Sequence, residues 1–421
     1  MGKTLAEKII GRAVGHEVCA GDYVIVALDK IYIHDGNGPL AVDQMARTGI
    51  THVAKPDRTF VFLDHSAPSP DKGISNSQKR LRDFAVQTGC HLFDVGDGIC
   101  HTVMFFDHIA PGDIVVASDS HTTTGGALGA FATGMGSTDS GIAMALGETW
   151  IKVPEALRFE LSGRFPAGVC GKDLILHIIG MIGSDGATYK SMEFVGDGLK
   201  EIEIYERVPL ANMAVEAGAK VGLFPSDSVT KHFLDSRGRG DQWKEIAADD
   251  DAQYETTYPI NLNDLEPMIS YPHFVDNTCP VTHKKVKDVK IDQGFLGSCT
   301  GGTLEDLRMA AQIIENNGGK LASGVRLIVN PGSREIYEKA MEAGILMTLS
   351  RAGATINTAG CGVCNGSHQG VLADGELAIG SHNRNFKGRF GNPNAEVYLG
   401  SPATVAASVV TGKITDPREV L

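Results

Sequence analysis

Short apolar runs that end in clusters of polar residues recur along this chain of 421 residues. Each run has the length of a strand, and a stretch with the apolar spacing of a helix follows it. The three clearest runs, with the polar residues after them, are Thr59–Leu63 with Asp64-His65, Asp113–Ala117 with Ser118–His121, and Val325–Val329 with Asn330–Ser333. The alternation predicts an α/β fold with largely parallel sheets. Because ligands of such folds bind beyond the carboxyl ends of strands, we expect a functional site at these polar clusters.

Two points in the sequence divide it into three predicted units. Pro154 precedes a new strand-like run at Glu155–Leu161, and a third unit opens near Lys287–Asp292. We therefore predict three α/β domains, covering residues 1–155, 156–284 and 285–421. In the third, Thr303 and Asp306 have the spacing of a helix-capping box, which predicts a helix that starts shortly after Cys299.

The charge balance excludes some classes of partner. The chain has 38 basic and 51 acidic residues, a formal net charge of −13 and no Lys/Arg run, so we expect no nucleic-acid partner. An anionic substrate would be held by locally placed arginines or helix N-termini. No apolar run approaches the ~20 residues of a membrane span. Glu7 lies where a signal peptide would be apolar, so we expect a cytoplasmic protein without a membrane partner.

The cysteines carry the sharpest local signal. Disulfides are not expected in a long chain without a signal peptide, so clustered cysteines indicate metal binding or catalysis. Cys361 and Cys364 form a CxxC pair, a spacing used by redox pairs, zinc sites and iron–sulfur sites. Structural zinc usually needs a second CxxC, and the chain has none. Cys299 follows the strand-like run Lys290–Leu296; alone it could be a small buried core residue, but the three cysteines together favour a cluster with one open iron.

Histidines next to carboxylates occur repeatedly at predicted strand ends. The segments are His34-Asp35, Asp64-His65, Asp97–His101 and Asp119–His121. A carboxylate that fixes the tautomer of a histidine makes it a good proton donor or acceptor near neutral pH. A single such pair is more often structural, so the prediction of proton transfer depends on their number.

Two arginines lie close together near the C-terminus, in Asn383-Arg384-Asn385-Phe386-Lys387-Gly388-Arg389. With the neighbouring asparagines they could hold a carboxylate through bidentate hydrogen bonds. The alternative interpretation is a surface loop with ordinary ion pairs. In an acidic chain, this segment is where we expect an organic dianion to bind.

Together these motifs resemble those of the aconitase family of iron–sulfur hydro-lyases, in the family's order and over nearly the whole chain. The segments that resemble its cluster ligands are Gly297–Thr300 and Cys361-x-x-Cys364; those that resemble its active-site and substrate motifs are Asp64-His65, His101, Asp119–Thr122, Asn212–Glu216, Asn383–Phe386 and Gly388-Arg389, with His34 at a position near the substrate. Gly301 stands where the family more often has Asn, and Val363 where it more often has Pro. Neither difference removes a thiol.

The length resembles that of the separate large subunit in two-subunit members of the family. The resemblance implies three α/β domains packed around a central [4Fe–4S] cluster, and a small partner subunit with the family's swivelling fourth domain, in a heterodimer or heterotetramer. It implies a hydro-lyase for hydroxy di- or tricarboxylates. A 3-isopropylmalate dehydratase-like activity in leucine biosynthesis is the first expectation; dimethylmalate or methylmalate (citraconate) dehydratase and homoaconitase are the alternatives.

The resemblance also implies roles for fifteen residues. They comprise cluster ligands Cys299, Cys361 and Cys364; catalytic residues Asp64, His65, His101, Asp119, His121 and Glu216; and substrate-binding residues His34, Ser120, Asn212, Asn383, Arg384 and Arg389. The serine that abstracts the substrate's proton is expected on the partner, and Ser120 is the alternative. Two other classes stay open: a zinc hydrolase with Cys/His ligands, and a cluster-binding regulator without enzymatic activity.

Overall fold

The computed structural model describes residues 2–421, and its first unit is built on a five-stranded parallel sheet. The elements of this unit are α1 Leu5–Val14, β1 Tyr23–Ala27, β2 Lys30–His34, α2 Gly38–Arg47, β3 Thr59–Phe62, α3 Lys72–Thr88, β4 His91–Phe93, α4 Cys100–Val103, β5 Ile114–Ala117, β6 Phe131–Gly134, α5 Ser137–Leu146 and β7 Glu148–Lys152. The sheet has the order β4-β3-β2-β5-β6, while β1 and β7 form a separate antiparallel pair. The strand order reverses between β2 and β5, which opens a crevice at their carboxyl ends.

The second unit has a four-stranded parallel sheet in the order β10-β9-β8-β11. Its elements are β8 Ala156–Ser162, α6 Gly171–Ile182, β9 Ser191–Val195, α7 Ile204–Met213, β10 Val221–Leu223, α8 Ser228–Ser236 and β11 Thr256–Asn261. This unit packs closely on the first through a 3₁₀ segment, Ser120–Leu128. A Cβ on Gly126 would lie 1.9 Å from the carbonyl oxygen of Gly222 in β10, so only glycine permits this approach.

The third unit has a seven-stranded mixed sheet in the order β13-β12-β18-β17-β14-β15-β16. Its elements are β12 Met268–Ser270, β13 Thr278–Pro280, β14 Gln293–Leu296, α9 Leu304–Asn316, β15 Arg326–Val329, α10 Arg334–Glu342, α11 Ile345–Ala352, β16 Thr355–Ile356, β17 Leu377–Gly380, β18 Glu396–Leu399 and α12 Pro402–Thr411. The predicted capping box is present at the start of α9. The order reverses between β14 and β17, so this sheet has a crevice of the same kind.

The sheets confirm the predicted α/β class with largely parallel strands. They also bear on the domain division, because β12 and β13 precede residue 285 yet join the third sheet through the antiparallel pairing of Ser270 with Leu399. We therefore propose the second boundary between β11 and β12. Among the described residues, no helix combines the length and the apolar character that crossing a membrane would require.

Candidate active site

A cavity of about 630 Å³ lies where the crevices of the first and third sheets face each other. All but three of the fifteen predicted site residues line it: His34, His65, His101, Asp119, Ser120, His121, Cys299, Cys361, Cys364, Asn383, Arg384 and Arg389. The fold explains this convergence, because nearly all of these residues lie at a strand end or in a loop at a carboxyl edge, and His101 lies at the start of α4. The expected functional site at the strand ends is therefore one cavity.

His65 is held in place by two carboxylates at the carboxyl edge of the first sheet. Its Nδ1 lies 2.9 Å from Asp64 Oδ1, and its Nε2 lies 3.3 Å from Asp119 Oδ2. Burial raises the pKa of Asp64, but the charge and hydrogen bond of His65 outweigh it and bring the pKa to about 2. Burial lowers the pKa of His65, yet negative charge at Cys361 and the two carboxylates raise it well above its ordinary value. The pair thus consists of a carboxylate and a protonated imidazole.

Asp119 is the centre of the polar wall. It follows β5, and its carboxylate accepts hydrogen bonds from His101 Nε2 at 2.8 Å and from the backbone N–H of His121 at 2.7 Å. Because a carboxylate only accepts, His101 carries its proton on Nε2, and its Nδ1 accepts from Tyr32 Oη at 2.9 Å. Burial raises the pKa of Asp119, but the surrounding histidines, His101 first, hold it well below its ordinary range.

A second carboxylate joins a histidine of the first unit to an arginine of the third. Glu216 Oε1 accepts from His121 Nε2 at 2.7 Å and from Arg384 Nε at 2.8 Å. Burial raises the pKa of Glu216, and its bonds to His121 and Arg384 lower it further than burial raises it. His121 therefore turns Nδ1 toward Ser120, whose Oγ lies 3.5 Å away. Glu216 itself lies behind the cavity wall.

The three predicted cluster cysteines are buried and line the same cavity. Cys299 lies in the loop after β14, Cys361 caps the start of the 3₁₀ segment Gly362–Asn365, and Cys364 lies within that segment. The backbone N–H of Cys361 donates to the carbonyl oxygen of Asp64 at 3.0 Å. This bond fixes the cysteine loop of the third unit directly against the Asp64-His65 loop of the first.

Nitrogen donors surround the sulfur atoms. Asn212 Nδ2 lies 3.1 Å and Asn383 Nδ2 lies 3.3 Å from Cys299 Sγ, while Arg389 Nη2 lies 3.3 Å from Cys364 Sγ. Burial raises the pKa of the Cys299 and Cys361 thiols. These donors stabilise thiolates more than thiols, so they lower the cost of the charge that a bound metal requires.

Two side-chain nitrogens at the cavity have no hydrogen-bond partner. They are His34 Nε2 and Arg389 Nε, both buried. The His34 ring stacks on the His65 ring with centroids 3.9 Å apart. Burial, and then the charge of His65, lower the pKa of His34 to about 4, so its ring is neutral. Unsatisfied buried donors of this kind are costly unless a ligand binds them.

The structure corrects three of the sequence-based pairings and placements. Asp35 does not hold His34; its carboxylate accepts the backbone N–H groups of Asp64, His65 and Ser66 and so fixes the loop after β3. Asp97 pairs with Arg334 rather than His101. Asn212 is fully buried beside Cys299, where its amide oxygen accepts from Asn383, so its polar atoms do not line the cavity.

Comparison with known proteins agrees with this geometry. A model of the aconitase family (aconitate hydratase) matches residues 7–412. The chain belongs to the aconitase family. The 3-isopropylmalate dehydratase large subunit of Elusimicrobium minutum and large subunit 1 of Thermotoga maritima are each 49% identical to it over 421 residues, which is 100% of both chains compared. Large subunit 2 of Archaeoglobus fulgidus is 48% identical over the same share.

A solved structure has a similar fold. The crystal structure of aconitase X from Thermococcus kodakaraensis, in its holo form, superposes with a TM-score of 0.52 and covers 89% of this chain and 88% of that chain. The two sequences are 13% identical, so this likeness concerns the architecture alone. The predicted membership of the aconitase family is confirmed.

The two departures from the family's usual motifs have local structural reasons. A Cβ on Gly301 would lie 2.2 Å from Ser381 Oγ, which donates to and accepts from the backbone of Gly297. In this chain Ser381 therefore occupies the space that a side chain at position 301 would need. Val363 is fully buried in an apolar cluster with Phe295 and Phe390, which accounts for an apolar side chain between the two cysteines.

Enzymes of the aconitase family generally use an iron–sulfur cluster, and the residues of this chain fit such a group. The donor set is three buried thiols in one cavity, with amide and guanidinium donors at two of the sulfurs. Among the described residues, no group of three ligand atoms within 4.8 Å of one another includes a cysteine. A tetrahedral zinc ion would bring sulfurs to about 3.8 Å. The wider spacing suits a multi-iron group.

Two residues of the site were not found from the sequence. Tyr32 fixes His101, but a tyrosine in the middle of a buried strand looks like an ordinary core residue. Lys172 is buried behind Cys299, and no motif in the sequence distinguishes it from the other lysines. The neighbouring Asp173 could have signalled a capped helix start at this point.

Proposed function

We propose that this chain is the large subunit of a [4Fe–4S] hydro-lyase that interconverts 2-isopropylmalate and 3-isopropylmalate by loss and re-addition of water. The observation that carries the proposal is that three buried thiols, a histidine–carboxylate wall and two arginines share one cavity. The named large subunits at 48–49% identity over the full length support the substrate class.

Cys299, Cys361 and Cys364 would hold the cluster. When bound, it supplies a Lewis-acidic iron to the oxygen atoms of the substrate. Asn212 and Asn383 hold Cys299 through their amide groups, and Arg389 holds Cys364. These bonds fix the directions of the sulfurs before the group binds.

His65 is the residue we assign as the acid that protonates the departing hydroxyl. It carries a proton on both ring nitrogens, because Asp64 and Asp119 each accept one. Asp64 also accepts the backbone N–H of Cys100 at 2.7 Å, so it cannot move to follow the proton. A protonated imidazole at the cavity wall can deliver the Nε2 proton to an oxygen atom of the substrate.

Arg384 and Arg389 are assigned to the carboxylates of the substrate. Arg384 uses Nε for Glu216, which leaves its Nη groups for a ligand. Arg389 has a buried Nε without a partner. His34 adds a neutral ring nitrogen that also lacks a hydrogen bond. Together these groups offer an anionic substrate several donors in a chain whose net charge is −13.

We also propose a small partner subunit that closes the cavity, in keeping with the words "large subunit" in the names of the relatives. The partner would supply the base that abstracts the carbon-bound proton and would exclude water from the site. Ser120 is the alternative base on this chain, since its Oγ approaches His121 Nδ1. A cytoplasmic location accompanies this proposal.

The test is turnover after anaerobic reconstitution with iron and sulfide. The chain is assayed alone and with a co-expressed small subunit on 2-isopropylmalate, citramalate, dimethylmalate, homocitrate and citrate. We expect turnover only for the pair, with 2-isopropylmalate the best substrate. Turnover by the chain alone would contradict the need for a partner and make Ser120 the first candidate base. If the reconstituted pair is brown, and so holds a cluster, but converts none of the five acids, the result would favour a cluster-binding regulator without enzymatic activity.

A further inference from the structure

A lysine side chain is fully buried between the second and third units. Lys172, the second residue of α6, exposes 1% of its surface. Its Nζ donates to the carbonyl oxygens of Ser381 at 3.0 Å and His382 at 2.6 Å, and to Thr300 Oγ1 at 3.2 Å. An ammonium group has three donors, so these bonds use all of them. All three acceptors are neutral, and no described carboxylate lies within 4.0 Å of Nζ.

The stability of the fold does not account for a positive charge at this position. A buried ion without a counter-ion is costly, and an apolar side chain of similar volume is often neutral or stabilising. A cation at a helix N-terminus is also disfavoured by the helix dipole. The nearby carboxylates have other partners: Asp173 accepts backbone N–H groups of Cys170 and Met268, and Asp306 binds Thr303.

The lysine lies directly behind the candidate cluster site. Thr300 follows Cys299 in the sequence, and Ser381 and His382 precede Asn383. Cys299 lines the main cavity and also a separate small cavity of about 40 Å³, which Lys172 and Thr300 line with it. Burial lowers the pKa of Lys172 to about 8, whereas the cysteine sulfurs, Cys299 first, act to raise it.

We propose that Lys172 is a positioning residue that joins the loop after β14 to the loop after β17 and places a positive charge behind Cys299. The inference rests on the proposed function, because the thiols carry their full negative charge when they hold the iron–sulfur group. A nearby cation stabilises added negative charge. Lys172 should therefore raise the reduction potential of the bound cluster.

The experiment measures the reduction potential of the reconstituted chain by a titration followed with electron paramagnetic resonance. Lys172→Met keeps the length of the side chain and removes its charge. We expect its one-electron reduction to be at least tenfold less favourable, a fall of about 59 mV. Lys172→Arg keeps the charge and should restore most of the potential.

Two further variants separate the charge from the joining of the loops. Thr300→Val removes one acceptor of Lys172 and leaves the ammonium, so it should keep the wild-type potential. Lys172→Gln keeps two N–H donors without the charge, so its reduction potential should fall as it does in Lys172→Met. This variant tests the same prediction if the methionine variant does not fold. An unfolding curve of each variant, measured before reconstitution, shows whether that variant is folded.

The possible results separate this inference from the proposed function. If the wild type takes up a cluster and the uncharged variants keep its potential, the role of Lys172 is wrong and the function stands. If the reduction potential of Thr300→Val falls as far as that of the uncharged Lys172 variants, the effect comes from the position of the loops. That result would overturn the role of the charge. If the wild type takes up no cluster, both the function and this inference are wrong.

Discussion

At the β2–β5 edge of the cavity, three of the four imidazoles are bonded to carboxylates, whereas at the β14–β17 edge only Arg384 has a carboxylate partner, and Lys172 and Arg389 face backbone carbonyls and a thiol. His65, His101 and His121 each have a carboxylate acceptor within 2.9 Å. Arg389, in contrast, has a sulfur partner and an unpaired nitrogen. All but one of the imidazoles at the first edge are paired within the protein, whereas the thiols and Arg389 at the second edge need a bound group.

This difference suggests that the two edges, although similar in topology, have different functions. The carboxylates fix the tautomers and directions of the histidines in advance, which is what proton transfer requires. The thiols and the buried ammonium instead form an environment whose charges balance when a metal group binds. Substitutions at the two edges should therefore fail in different ways.

The largest effect is expected from the ligands at the second edge. Serine in place of Cys299, Cys361 or Cys364 removes one of the three thiols and should abolish both the cluster and turnover. Iron and sulfide content per chain and the visible spectrum measure the loss. Cys90→Ser is a matched control, because Cys90 and Cys299 are each 9% exposed but Cys90 does not line the cavity. A Cys299→Ser chain with full iron and activity would contradict the assignment.

At the first edge, Asp119→Asn should lose turnover but keep its iron. The amide has the shape of the carboxylate, but it lacks the charge and cannot accept from His65, His101 and the His121 backbone as the carboxylate does. Loss of such a preorganised charge lowers kcat by roughly 10²–10³-fold. Asp83→Asn on the exposed face of α3 is the control. Loss of iron in Asp119→Asn would show that the two edges are not independent.

Lysine in place of Arg384 or Arg389 should weaken substrate binding by a smaller factor. The charge remains, but the planar pair of donors is lost. A lost hydrogen bond to a charged group costs about 1.5–3 kcal/mol, so kcat/KM should fall roughly 10–150-fold. Arg326→Lys, which alters a similar fork on Glu376 at the surface, is the control. Wild-type kinetics in both cavity variants would exclude the arginines from substrate binding.

The sequence predicted the location of the site better than its internal bonds. The strands before Asp64 and Ser118 carry strong local signals, and the position of ligands in α/β folds follows from topology, so the convergence of these residues was predictable. Which carboxylate binds which histidine was not. Asp35 is adjacent to His34 in sequence, yet its carboxylate accepts backbone N–H groups of the loop after β3, which no local pattern indicates.

The third unit illustrates a second limit of sequence analysis. Strands β12 and β13 are short and lie far from β14 in the sequence, and only the pairing of Ser270 with Leu399 assigns them to the third sheet. Lys172 has no local signal for its role, because all three of its acceptors lie more than 100 residues away. Long-range pairing of this kind depends on the packing of the units, which periodicity along the chain does not encode.

The smallest effect concerns the stability of the chain, behind the second edge. Burial raises the pKa of Glu206 from 4.5 to about 7, and its backbone bond to Gly171 only partly opposes this. The folded chain therefore binds this proton more tightly than the unfolded chain. The stabilisation is complete below about pH 4.5 and is lost as the pH rises through 7. At most it amounts to about 3 kcal/mol.

Glu206→Gln isolates this contribution, because the amide oxygen can still accept from Gly171 and carries no charge at any pH. Between pH 5 and pH 8 the unfolding midpoint of the metal-free wild type in urea should fall relative to that of the variant. Other titrating groups, including His65, change both chains equally and cancel in the difference. Glu338→Gln on the exposed face of α10 should run parallel to the wild type. If the midpoint of Glu206→Gln also runs parallel to that of the wild type, Glu206 is ionised throughout this pH range. The second edge then holds a buried carboxylate as well as the buried ammonium. Its charge pairing would in that case resemble that of the first edge more closely.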